Sequence, residues 1–129
     1  MKPYYQDEWH TLYHGDCTAM DLLSLGADAI ITDPPRGLSM DGVIVPTTCE
    51  LGHLFNTRLP CVVWATQRTP KPWHQLVDMA NEWENASCIL DPYAGSGAVI
   101  DAAVGGGMKG IAIEIDEALC AAMAERWGG

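Results

Sequence analysis

Apolar residues fall along this chain in short unbroken runs, separated by longer stretches with helical spacing. Five runs read as strands. These are Thr11–His14, closed by Gly15-Asp16; Asp28–Thr32, leading into Asp33-Pro34-Pro35; Cys61–Ala65; Ser87–Leu90, leading into Asp91-Pro92; and Gly110–Ile113, leading into Glu114. They are apolar without alternation, as expected of strands covered on both faces. Between them, Trp73–Glu84 carries apolar residues at Trp73, Leu76, Val77, Met79, Ala80 and Trp83, which predicts a helix. Ser96–Val104, after a glycine-rich turn, and the Ala-rich Asp116–Trp127 predict two more, with Ala19–Leu25 and Glu50–Asn56 as shorter candidates. Gly37–Thr48 reads as a mobile loop, because it has two glycines, a proline and few periodic apolar positions. Strands alternating with helices imply an α/β fold with a parallel sheet, in a single domain over residues 1–129.

Composition narrows the function. The 129 residues include 48% apolar side chains, enough for one core. The net charge is -10, and the seven Lys and Arg residues are scattered. Such a surface repels duplex DNA unless its cations cluster, which argues mildly against autonomous DNA binding. The five cysteines are odd in number and form no C-x-x-C pair, so a disulfide framework or zinc site is not expected and a reduced, cytoplasmic setting fits. With no apolar leader and no long apolar run, a soluble intracellular protein is expected.

Ile89–Gly97 (Ile-Leu-Asp-Pro-Tyr-Ala-Gly-Ser-Gly) reads as strand, Gly-x-Gly turn and helix start. Such a turn lets backbone approach a ligand, and the helix beyond it offers free N–H groups. Seventeen residues past Gly97, a strand ends at Glu114, whose carboxylate could accept from both hydroxyls of a ribose. Together they describe a site for an adenosine-containing cofactor; the plainer alternative is a tight turn and a solvated strand end. The dinucleotide fingerprint would place a third glycine where Ile100 stands, and Asp91 before the turn suits a cationic amino group rather than a pyrophosphate. S-adenosylmethionine (SAM) is therefore preferred over NAD.

Asp33-Pro34-Pro35-Arg36 ends another strand, where ligand chemistry sits in open α/β sheets. The lone pair of an exocyclic amine on adenine or cytosine is delocalised into the ring. Two acceptors on its N–H bonds, the Asp33 carboxylate and the Pro34 carbonyl, would free that lone pair for in-line attack on a methyl group. Pro35 would hold that backbone rigid. A capped Pro-Pro turn is the simpler alternative. Thr66–Pro72 reads as a loop with Pro at the start of the next helix.

In this order the motifs resemble the β-class of DNA amino-methyltransferases, which modify adenine N6 or cytosine N4. The resemblance covers Thr11–Arg36 and Thr66–Trp127. It implies a Rossmann-like SAM-dependent methyltransferase fold, with a mainly parallel sheet reduced to about five strands from the family's usual seven and flanked by helices. It also implies roles. Gly95 and Gly97 would approach the methionine part of SAM, with Tyr93 and Ser96 in the same motif. Asp91 would hold the amino group, Lys71 and Pro72 would line the methionine side, Glu114 would hold the ribose, and Asp16 would lie near the adenine. Asp33, Pro34, Pro35 and Arg36 would form the catalytic segment.

Two departures qualify that reading. Arg36 stands where the family has an aromatic that stacks on the flipped-out base, a task a guanidinium plane performs less well. Only thirty-four residues separate Arg36 from Lys71, leaving no room for a target-recognition domain. DNA binding is then expected to be weak or partner-assisted. The shortened sheet edge predicts a homodimer or a partner subunit. The alternatives are a catalytically degenerate SAM-binding subunit or regulatory module, and a methyltransferase acting on a small molecule or protein, which explains the charge but not Asp33-Pro34-Pro35. His10, His14, His53 and His74 lack metal spacing and read as surface or structural residues. The five tryptophans read as core and helix anchors, and Asp116–Glu125 as a solvated face.

Overall fold

The computed structural model describes residues 1–33, 36–40, 43–46, 59–63 and 73–129, with the side chains of 36–40, 43–46 and a few others left out. Among these residues the chain forms a mainly parallel α/β sheet. The strands are β1 (Tyr5–Gln6), β2 (His10–His14), β3 (Ala29–Thr32), β4 (Arg36–Met40), β5 (Val43–Pro46), β6 (Cys61–Val63), β7 (Cys88–Asp91) and β8 (Lys109–Glu114). The helices are α1 (Trp73–Glu84), α2 (Ala98–Gly105) and α3 (Glu117–Gly128). The main sheet runs β1-β2-β8-β7-β3-β6, and every neighbouring pair from β2 to β6 is parallel. The five expected strands are therefore present. The two-residue β1, which pairs antiparallel with β2, was not expected, because so short a strand is defined by its partner and has no periodicity to read.

Side-chain alternation divides the core into two layers. Ala29 and Ile31 of β3, Ile89 of β7 and Ala112 of β8 face the three helices. There they pack with Val77 of α1, Val99 and Ile100 of α2, and Cys120 and Met123 of α3. Ile30, Leu90, Ile111 and Ile113 face the other way and are covered by Cys17, Met20 and Leu22. That second cover differs from expectation. Ala19–Leu25 is not an α-helix but part of two 3-10 turns, Cys17–Ala19 and Leu22–Leu25, the second ended by Gly26 in the left-handed region at φ 89°. Asp16 caps the first turn, and Asp21 breaks the run between them.

Two further expectations change. Arg36–Met40 and Val43–Pro46 pair as an antiparallel two-stranded sheet, so most of Gly37–Thr48 is strand rather than loop. The β-branched Val43-Ile44-Val45 run after Asp41-Gly42 is the sequence signal for that pairing. Helix α2 begins at Ala98, two residues later than expected, because Gly95 and Gly97 adopt positive φ (57° and 89°) and Gly97 becomes its cap. Glu50–Asn56 lies outside the described residues. Among the described residues, no helix is long and apolar enough to cross a membrane.

Candidate functional site

The order of the sheet locates the site. From β7 the chain passes through α2 to β8 on one side, while β3 and β6 lie on the other. The carboxyl ends of β3 and β7 therefore flank the point where the winding reverses, the position at which open α/β sheets bind ligands. A cavity of about 240 Å³ opens there, lined by Asp33 from the end of β3, Asp91 from β7, and Tyr93, Gly95 and Ser96 from the following turn. Trp73 and Ala98 also line it, and they are the first residues of α1 and α2, so two helix N-termini border the cleft.

Asp91 is only 2% exposed. Its Oδ1 accepts from the Thr32 hydroxyl at 2.5 Å and from the Tyr93 N–H at 3.0 Å. Burial pushes its carboxyl up to about 7, against the pull of those two bonds, and the charges of Asp33 and Glu114 push the same way as burial. The glycine turn is pinned to β8: Ala94 N–H donates to the Ile113 carbonyl at 3.0 Å, and Gly95 N–H to Glu114 Oε1 at 2.8 Å. Glu114 Oε2 accepts from Asp116 N–H at 2.8 Å. A carboxylate offers about four lone-pair sites, so these two bonds leave room for a hydroxyl donor.

The two glycines divide their work. A Cβ on Gly95 would meet nothing within 4 Å, so this cleft-lining glycine borders open space. A Cβ on Gly97 would come within 2.9 Å of Met123 Sδ and 3.0 Å of Arg126 and Trp127. Gly97 thus lets α3 pack against the turn and is not itself among the cleft-lining residues. Helix α3 holds the turn further: Arg126 donates to the Ser96 carbonyl at 2.7 Å and to Asp101 at 2.9 Å.

Of the residues read from sequence, Asp33, Asp91, Tyr93, Gly95 and Ser96 line one cleft, and Glu114 stands one hydrogen bond behind it. Asp16 lies beyond β8 at the same end of the sheet, where it caps the first 3-10 turn through Thr18, and does not line this cleft. Arg36 begins β4, with its side chain left undescribed, and Pro34, Pro35, Lys71 and Pro72 lie outside the described residues. Thr32 and Trp73 escaped the sequence reading. Thr32 looks like any β-former at a strand end, and Trp73 like a helix anchor, which it also is.

A second cavity, about 580 Å³, lies at the amino ends of the strands, lined by Asp7, Trp9, Asp28 and Lys109 among others. Its aspartates are committed to the fold. Asp28 Oδ2 takes Ser87 N–H, Ser87 Oγ and Cys88 N–H, and Asp7 Oδ1 takes the N–H groups of Trp9 and His10. The smaller cleft holds the better-placed chemistry. Comparison with protein-family models, curated protein sequences and solved structures found no match.

Proposed function

We propose that this cleft binds SAM and that the chain is a minimal methyltransferase domain with a reduced Rossmann-like fold, acting on an exocyclic amine of adenine or cytosine in DNA. The observation that carries the reading is the convergence of Asp33, Asp91 and the Tyr93–Ser96 turn on one cleft where the sheet's winding reverses. The residues fit the methionine end of SAM. The Asp91 carboxylate suits its ammonium group, the N-termini of α1 and α2 suit its carboxylate, and Gly95 leaves space for close approach. Glu114 retains lone pairs for the ribose hydroxyls, with Asp16 further along the same end of the sheet. The bound cofactor supplies an activated methyl group. Asp33 accepts a hydrogen bond from the target amine, and with the Pro34 carbonyl it restores the nucleophilicity of that nitrogen.

A second reading, a SAM-binding subunit without transfer activity, is favoured by Arg36 in the place of a stacking aromatic and by the net charge of -10. Isothermal titration with SAM tests what both readings share. Micromolar binding is expected in the wild type. In Asp91→Asn it should weaken roughly ten- to a hundredfold, because a charge-assisted bond becomes a neutral one. No binding to the wild type would sink both readings. Methyl transfer to DNA then separates them. Asp33→Ala should abolish transfer while SAM still binds, and a wild type inactive on every DNA substrate leaves the second reading.

A further inference from the structure

We propose that Thr32 is the positioning residue of this cleft: its buried hydroxyl orients the Asp91 carboxylate and thereby sets the cleft's affinity for a ligand with a cationic amino group. The proposal rests on the cofactor reading above and deepens it. Thr32 is fully buried at the end of β3, and its Oγ1 donates to Asp91 Oδ1 at 2.5 Å across the gap to β7. Every other residue of β3 is Ala or Ile. At a position like this Val has the same shape, and burying a hydroxyl costs free energy unless it is bonded. A threonine here is therefore explained by its partner rather than by packing.

Two donors, Thr32 Oγ1 and Tyr93 N–H, meet on one oxygen of Asp91, and this holds the carboxylate in a single orientation beside the cleft. The next residue after Thr32 is Asp33, which lines the same cleft. One strand end thus presents the group proposed to hold the target amine and clamps the group proposed to hold the cofactor. Donation to an ionised carboxylate also favours its charged form, so the hydroxyl opposes the upward push of burial on Asp91.

The test compares Thr32→Val, which keeps the shape and loses the donor, with Thr32→Ser, which keeps the donor. Carbon-detected NMR of the ligand-free chain follows the side-chain carboxyl of Asp91 through a pH titration. Its midpoint should rise by roughly half a pH unit or more in Thr32→Val and return toward wild type in Thr32→Ser. SAM affinity at pH 7 should fall about three- to tenfold in Thr32→Val and recover in Thr32→Ser. A midpoint that does not move in Thr32→Val, or a serine variant that behaves like valine, overturns the proposal. So does an unchanged SAM affinity in Thr32→Val. If the wild type fails to bind SAM, the cofactor reading falls, and the titration of the ligand-free chain alone then decides the role of Thr32.

Discussion

Asp91 is a carboxyl that the fold buries against its preference for water. Burial, helped by two neighbouring acidic residues, pushes its carboxyl up to about 7, against about 3.9 in an unfolded chain. Because the folded value is the higher one, the stability linked to Asp91 is fully present below about pH 4. It is lost as pH rises toward about 7, where the buried group must ionise. Asp91→Asn has no such titration and can still accept from Thr32 and Tyr93 through its side-chain oxygen. This variant should be more stable than wild type at pH 8, by an amount on the order of 2–4 kcal/mol, with the difference shrinking toward pH 5. Thermal unfolding at several pH values measures it. A less stable Asp91→Asn at pH 8 would mean that the carboxylate is held by compensating charge rather than merely tolerated. On the proposed function the same variant should bind SAM more weakly, and that pairing of gain and loss would mark a residue kept for a ligand. Glu114 is a poorer probe. Its two oxygens hold Gly95 and Asp116, so Glu114→Ala removes a loop anchor along with any ribose contact.

Elements meet in this protein where glycine removes a side chain. Ile100 stands where a dinucleotide fingerprint would have its third glycine, yet α2 still packs closely on the sheet. The space comes from the strand side: a Cβ on Gly110 of β8 would lie 2.5 Å from Ile100 Cγ2. Gly110→Ala should therefore destabilise the chain by roughly 1–3 kcal/mol through overpacking. In denaturant unfolding it should lower the midpoint with little change in slope. Gly97→Ala combines left-handed backbone with a collision against Met123 and the end of α3, and should cost more than Gly110→Ala. Gly95→Ala faces no such collision, so its loss of stability should be the smaller of the two turn variants, while its effect on SAM affinity should be the larger. Equal effects of Gly95→Ala and Gly97→Ala on SAM affinity would count against the division of labour between them.

At the scale of the whole molecule the net charge of -10 bears on the proposed DNA substrate. The wild-type chain should bind duplex DNA only weakly, and added salt should change that binding little, since few phosphates can be neutralised. A steep salt dependence in fluorescence anisotropy would reveal a basic surface that the scattered Lys and Arg residues do not suggest. The short sheet leads to a second expectation: self-association or a partner subunit, with a monomer by light scattering at micromolar concentration counting against self-association. The antiparallel β1 already covers the β2 edge, which limits where such an interface can form.

The sequence by itself determined the five parallel strands, the extent of α1 and the identity of the acidic residues at strand ends. Each of these depends on local periodicity or on a residue type whose chemistry does not change with context. Tertiary structure alone decided the rest. The order β2-β8-β7-β3-β6 brought Asp33 and Asp91, fifty-eight positions apart in the chain, onto one cleft, and left Asp16 outside it. It bonded Thr32 to Asp91 and gave Gly97 to packing rather than to the cleft. These outcomes depend on which strand lies beside which. That is fixed by long-range burial and pairing, to which a local pattern of apolar residues is blind.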